Sequence, residues 1–115
     1  QAYEMYKSKY WPLDNLSNLW TRTIKFHWVK PYGGYHVWHA ENQNTNTTNR
    51  VLVWHLALSS HQDEGDLEFL YYKRKLYPEK GKLILFPAYF SHIHRGNPIK
   101  TKDKYYITGW LDYTK

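Results

Sequence analysis

The chain has 115 residues, which is enough for one domain around one core and too few for two. Hydrophobic residues make up 42% of it, which excludes a disordered chain, and 19% are aromatic, led by twelve Tyr and six Trp, whose polar-tipped rings suit a wet cavity or a half-exposed face. The net charge of +6 favours acidic ligands and also serves solubility; Lys and Arg are scattered, with only Lys73 to Lys75 as a cluster, so no dense nucleic-acid stripe exists, although nucleic acid stays open as a partner.

Cysteine is absent, which excludes disulfides and thiolate metal sites; any metal must be held by His and carboxylate. This fits a reducing compartment, and the expected location is the cytoplasm. No apolar run reaches 18 residues and no charged-then-apolar leader pattern is present, so neither a membrane span nor a secretory signal is expected.

In chain order, the first 20 residues hold the only helical signal: Leu13, Leu16, Leu19 and Trp20 have the spacing of a short helix capping one end. "TIKFHWVK" (Thr23 to Lys30) alternates and predicts a strand, and "PYGG" (Pro31 to Gly34) a turn. "YHVWHA" (Tyr35 to Ala40) predicts a second strand, and the polar stretch Glu41 to Asn49 a loop. "RVLVWHLAL" (Arg50 to Leu58) is a continuous apolar run, as in a strand covered on both sides. After a turn at Ser59 to Gly65 come "DLEFLYY", "RKLYP" and "GKLILFP" (Gly81 to Pro87), and "KYYITGWLDY" (Lys104 to Tyr113) closes the chain as a long strand. Seven or eight strands at roughly 8–12-residue spacing predict an all-β sandwich or barrel, in a single domain over residues 1–115.

The chemistry-bearing residues cluster around histidine. His39 and Glu41 lie two apart, so on an extended chain their side chains leave the same face. "LFPAYFSHIHRGNPI" (Leu85 to Ile99) ends an apolar strand with His92 and His94, and His94 offers a third ligand. Two imidazoles and one carboxylate with open positions are the facial triad of non-haem Fe(II) oxygenases. On spacing alone the pattern is weak, because H-x-E pairs are common. His27 and His61 read as structural or surface residues, and His36 and His92 as structural, solvent-facing or lining roles. Arg95 alternates to the opposite side from His94.

Several blocks strengthen the pattern. "YHVWHAE", "EGDLEF", "GKLILFP", "HRGNPI" and "KYYITGW" follow one another in order. Together they resemble the 2-oxoglutarate- and Fe(II)-dependent oxygenases, in particular the prolyl-4-hydroxylase-like branch, over about Tyr35 to Tyr113. Their form looks most like the small oxygenases of phage genomes. The resemblance implies a double-stranded β-helix (jelly roll), with Fe(II), 2-oxoglutarate and O₂ as cofactor and co-substrates. It selects His94 rather than His92 as the distal ligand, because Pro98 stands four residues beyond His94. It also implies that Lys104, ten residues beyond His94, pairs with the far carboxylate of 2-oxoglutarate. A buried ammonium requires such an anion. Thr108, four residues on along the same strand face, is a second candidate for that carboxylate. His55 stands where the family often has a co-substrate-binding Tyr; it either replaces that contact or is a packed polar core residue. Glu41 stands where the family usually has Asp.

The resemblance implies C–H hydroxylation coupled to conversion of 2-oxoglutarate to succinate and CO₂. The expected partner is a peptide or other small substrate, with peptidyl proline leading, and Tyr35, Trp38 and Phe90 as aromatics near the mouth. Two rival readings use the same residues. One is a non-catalytic, aromatic-rich β-sandwich binding module with a degenerate metal site. The other is a zinc hydrolase, which has no need of a buried cation at Lys104.

Overall fold

The computed structural model describes residues 1–16, 18–34 and 36–113. Helix α1 (Ala2–Lys9) and a 3₁₀ turn (Trp11–Asn15) precede seven strands: β1 (Leu19–Val29), β2 (Arg50–Ala57), β3 (Leu67–Phe69), β4 (Arg74–Leu76), β5 (Leu83–Pro87), β6 (His94–Gly96) and β7 (Lys104–Tyr113). They form two antiparallel sheets, a large one in the order β1-β7-β2-β5 and a small one in the order β4-β3-β6. This is the jelly-roll arrangement expected from the sequence.

Between the sheets lies the core. Val53, Phe86 and Trp110 from the large sheet meet Leu67 and Phe69 from the small one, and Phe69 packs edge-on against Phe86 at 5.0 Å. Alternation along β7 explains what else faces inward. Lys104, Tyr106, Thr108 and Trp110 share one face, since successive side chains leave opposite sides of a strand. The antiparallel register sets Val29, His27 and Lys25 of β1 against the first three of these in turn, and His55 and Val53 of β2 against Thr108 and Trp110. The interior of the large sheet is therefore basic and aromatic at one end and apolar at the other.

Two expected elements differ. Of the strand expected over Tyr35 to Ala40, Tyr35 lies outside the described residues, and residues 36–40 contribute one isolated bridge, His39 to His94, because the partner β6 is only three residues long. The helix expected over Leu13 to Trp20 is also displaced. The helical segments lie earlier, and Leu19 and Trp20 begin β1, where the β-rich run that follows draws them into pairing with Tyr113 and Asp112.

On the outer face, Trp54 lies across Gly109, its partner in register. A Cβ at Gly109 would overlap the Trp54 indole. Gly109→Ala is therefore expected to cost about 1–3 kcal/mol by overpacking, read as a lower urea midpoint at unchanged slope.

Candidate metal centre and co-substrate cavity

His39 and His94 are 55 positions apart in sequence (94 − 39) and adjacent in space. Each backbone N–H donates to the other's carbonyl at 3.0 Å, a mutually bonded antiparallel pair whose side chains leave on one side. Ala88 fixes the next segment: its carbonyl accepts the N–H groups of Glu41 and Asn42 at 3.0 and 2.9 Å. The three side chains then converge. Glu41 Oε2 lies 3.0 Å from His39 Nε2 and 2.9 Å from His94 Nε2. All three donor atoms lie within 4.8 Å of one another.

Hydrogen bonds behind the rings decide what these contacts mean. His39 Nδ1 is 2.8 Å from the Val37 carbonyl, and His94 Nδ1 is 2.8 Å from the His92 carbonyl. A carbonyl only accepts, so each Nδ1 carries the hydrogen. Each Nε2 therefore turns its other valence toward Glu41 Oε2. Lone pairs facing a carboxylate at this range require a cation between them, either protons on the rings or a metal ion. Anchoring of the far ring nitrogen on a carbonyl is the usual device for holding a metal-ligating imidazole. Cis ligands of an octahedral ion bound at ~2.1 Å stand about 3 Å apart, so both contacts match an octahedral edge. The donor set fits a divalent iron site.

Glu41 is braced from behind. Trp110 Nε1–H donates to Oε1 at 3.0 Å, and the Arg50 guanidinium lies 3.6 Å from the same oxygen while stacking on the Trp110 ring at 4.0 Å. Burial alone would disfavour the Glu41 carboxylate, but the hydrogen bonds from His39 and His94 outweigh it and hold the group far below the usual carboxyl range. Burial likewise pushes His39 down, and its hydrogen bond with Glu41 reverses that and raises it.

Beside the three ligands opens a cavity of about 410 Å³ that reaches Lys104 and Thr108 on β7 and His55 on β2. Lys104 is 7% exposed. Its ammonium donates to the Gly65 carbonyl at 3.2 Å, and no carboxylate among the described residues lies within ion-pair distance. Burial depresses its pKa, with Asp66 opposing in part. Gly65 holds a φ of +71°, which side-chain-bearing residues rarely adopt, while a Cβ there would make only ordinary contact with the lysine stem, at 3.4 Å. One end of the cavity thus gathers metal-type ligands and the other presents a dehydrated cation.

The profile of the 2OG-Fe(II) oxygenase superfamily matches residues 17–112. The chain belongs to that superfamily. Its members use Fe(II), 2-oxoglutarate and O₂. Among solved structures, it is similar to a viral collagen prolyl hydroxylase from Paramecium Bursaria Chlorella virus-1 in complex with 2OG, at 20% identity and a TM-score of 0.72, covering 96% of this chain and 72% of that one. A Pseudomonas putida prolyl-4-hydroxylase matches at 21% identity and a TM-score of 0.65, covering 79% and 52%. A prolyl 4-hydroxylase from Phytophthora capsici matches at 22% identity and a TM-score of 0.73, covering 95% and 38%. The chain thus spans most of the viral enzyme and about half or less of the other two. At these identities the likeness establishes the jelly-roll fold. No curated protein sequence matches the chain.

Seen as an oxygenase, the chain distributes its remaining histidines and aromatics over varied duties. His36 Nδ1 bonds the Gly96 carbonyl at 2.7 Å, and His92 meets Ser91 at 2.9 Å and packs near Phe69, Phe86 and Tyr72. His61 is buried against Ser59 at 2.7 Å, which the polar turn around it did not suggest. Arg95 does face away from the ligands: it pairs with Glu68 at 3.0 Å and stacks on Trp38 at 4.0 Å. Neither Trp38 nor Phe90, which is 80% exposed, lines the cavity, and Tyr35 lies outside the described residues. Sequence reasoning missed Trp110 and Arg50 as braces of Glu41, and His27 and Tyr106 as cavity residues. The alternation of β7 carries the signal for Trp110 and Tyr106, which stand six and two positions from Lys104; His27 and Arg50 emerge only from cross-strand register. No helix among the described residues is long and apolar enough to cross a membrane.

Proposed function

We propose that residues 1–115 form a single jelly-roll oxygenase domain, an Fe(II)- and 2-oxoglutarate-dependent dioxygenase that hydroxylates a C–H bond, with a peptidyl proline as the leading substrate. The observation that carries this reading is the pair of carbonyl-anchored imidazoles aimed at one carboxylate oxygen, with a buried ammonium across the same cavity that has no carboxylate within ion-pair distance among the described residues. In this reading His39, Glu41 and His94 hold the metal. When bound, Fe(II) supplies the redox chemistry by which O₂ converts 2-oxoglutarate to succinate and CO₂ and delivers the second oxygen atom to the substrate.

This chain's residues supply position and charge. One carboxylate and two neutral imidazoles leave a net positive site that attracts the keto-acid end of 2-oxoglutarate. Lys104 fixes its far carboxylate, and Thr108, one alternate position beyond Tyr106 on the same face, adds a hydroxyl. Trp110 and Arg50 keep the longer Glu41 side chain in the place where the family usually has Asp. Peptidyl proline is favoured as substrate because prolyl hydroxylases recur among the structural relatives. A cytoplasmic setting is consistent with a chain that contains no cysteine.

The test is direct. Purified protein with Fe(II), 2-oxoglutarate and air is expected to form succinate, with none when iron is omitted, and Gly-Pro-rich peptides are expected to gain one oxygen atom by mass. Absence of iron-dependent succinate would overturn the dioxygenase reading; succinate without any change in the peptides would overturn proline as the substrate.

A further inference from the structure

Trp110, whose N–H braces Glu41, draws two cations to its ring. The Arg50 guanidinium stands 4.0 Å from the ring centre and the Lys25 ammonium 5.6 Å. They reach it from the two strands that flank β7, Arg50 from β2 and Lys25 from β1. Lys25 lies on the inward face of β1, in register with Thr108, and it lines the cavity while staying open to solvent. Gln43, from the loop that follows Glu41, also lines the cavity and brings an amide that both donates and accepts. The mouth beside the metal ligands is therefore basic and polar.

The two cations are not equivalent. Arg50 is committed to Glu41: it donates to the backbone carbonyl at 3.2 Å and stands 3.6 Å from Oε1. Lys25 has no carboxylate within ion-pair distance among the described residues. Glu41, the acid on this side, is taken up by two imidazoles, an indole N–H and Arg50. Asp112, in register with Arg50, lies beyond ion-pair distance of both cations.

The charge balance of the whole cavity points the same way. Its lining holds four cationic side chains, Lys25, Arg50, Lys82 and Lys104, and three anionic ones, Glu41, Asp66 and Glu79. A divalent metal and the two carboxylates of 2-oxoglutarate cancel, so the loaded cavity keeps one positive charge in excess. Lys82 and Glu79 share one turn, Lys104 is assigned to the co-substrate and Arg50 to Glu41. Lys25 is the cation still to be matched.

We propose that Lys25 is a specificity-determining residue: it pairs with a carboxylate of the substrate, and the peptide this site takes carries Asp or Glu close to the residue that is hydroxylated. This rests on the reading of the cavity as a peptide-hydroxylating oxygenase site. Through Trp110 the ammonium stands no more than about 10 Å from the ligand carboxylate, a reach of about two residues of extended chain plus an acidic side chain. One excess charge fits a single carboxylate better than the run of phosphates in a nucleic acid, and the chain has no dense basic stripe to follow one.

Equilibrium binding of labelled Gly-Pro-rich peptides to protein loaded with Zn(II) and 2-oxoglutarate, without oxygen, tests this. One peptide carries Asp on both sides of the proline, a second Asn in the same places, and a third Lys. Wild type is expected to bind the Asp peptide about fivefold more tightly than the Asn peptide, with the ratio falling toward one as salt is raised. Lys25→Gln is expected to bind these two equally and Lys25→Arg to keep the preference. Lys25→Glu is expected to turn it toward the Lys peptide, an inversion that loss of a merely structural contact does not produce. Equal binding of the Asp and Asn peptides by wild type, or a preference that survives in Lys25→Gln, would overturn the inference while leaving the dioxygenase reading standing. A single-stranded oligonucleotide that binds the loaded protein and displaces the Asp peptide would overturn a peptide as the source of the anion. Iron-dependent succinate with none of the peptides bound would remove the peptide reading and this inference together.

Discussion

His94→Ala is expected to lower iron-dependent succinate formation by roughly a thousandfold or more, and to remove stoichiometric binding of Fe(II) or of a Mn(II) surrogate. The reason lies in how few groups hold the site. Three side chains provide the donor atoms, and one of the two imidazoles is 4% exposed, with its Nδ1 committed to the His92 carbonyl. Removing it leaves a carboxylate and one ring, and Glu41 Oε2 loses the shorter of its two contacts. Trp110→Phe grades the same prediction. It keeps an aromatic ring in the core but deletes the N–H that holds Glu41 Oε1 at 3.0 Å, together with part of the indole on which Arg50 stacks. Loss of a partner behind a ligand typically costs 10–100-fold in metal affinity. The expected order is therefore wild type, Trp110→Phe, then His94→Ala, read as metal affinity by titration and as succinate yield. Equal affinity in all three proteins would mean that the convergent histidines do not bind metal.

The same residues show why the centre was legible in the sequence and its supports were not. His39 and Glu41 are two apart, a pair too common to decide anything by spacing; the resemblance carried by the local blocks around His94, Pro98 and Lys104 singled these residues out. β7 was equally plain, because its alternation of Lys104, Tyr106, Thr108 and Trp110 continues unbroken through the strand. What support each ligand receives depends instead on register. Arg50 stacks on Trp110 only because β2 and β7 pair as they do, with Arg50 opposite Asp112 and an irregularity before Leu52. His27 reaches Tyr106 only through the pairing of β1 with β7. Neither pairing leaves a trace at fixed sequence distance.

Secondary structure failed where a local signal competed with tertiary demand. The stretch "HVWHA" reads as a strand by alternation, yet it has too little partner strand to pair along its length and keeps one bridge, the one that joins the two histidines. The apolar spacing of Leu13, Leu16, Leu19 and Trp20 suits a helix, but Leu19 and Trp20 are taken into an eleven-residue β1. α1 is the short N-terminal helix expected within the first 20 residues, but its place was not legible because it has no buried residues and no marked apolar stripe. Its helix rests on good formers such as Ala2, Glu4, Met5 and Lys7, a signal too weak to separate from a loop.

Lys104→Met gives two effects of opposite sign, and the pair is more informative than either alone. The ammonium is 7% exposed, and its one hydrogen bond among the described residues goes to a neutral carbonyl. Burying a charge so sparsely compensated opposes folding, and its depressed pKa reports that cost. Methionine has nearly the same length and no charge, so without co-substrate the variant is expected to be more stable by about 1–3 kcal/mol, on the scale seen when buried charges give way to apolar side chains. The pH dependence follows. The folded lysine releases its proton below the ordinary value near 10.4, so between its depressed pKa and that value the unfolded chain binds more protons and the wild type gains stability as pH rises. The advantage of the methionine protein is therefore full below the folded pKa and shrinks above it. Co-substrate reverses the order. Truncating one partner of a buried, hydrogen-bonded charge pair costs about 2–5 kcal/mol, so 2-oxoglutarate is expected to bind the variant ~30- to 4,000-fold more weakly. Saturating 2-oxoglutarate should then raise the melting temperature of the metal-loaded wild type and leave that of the variant almost unmoved. A variant that is less stable alone would show that Lys104 supports the fold, and one that binds 2-oxoglutarate as tightly as wild type would remove this lysine from the anion subsite.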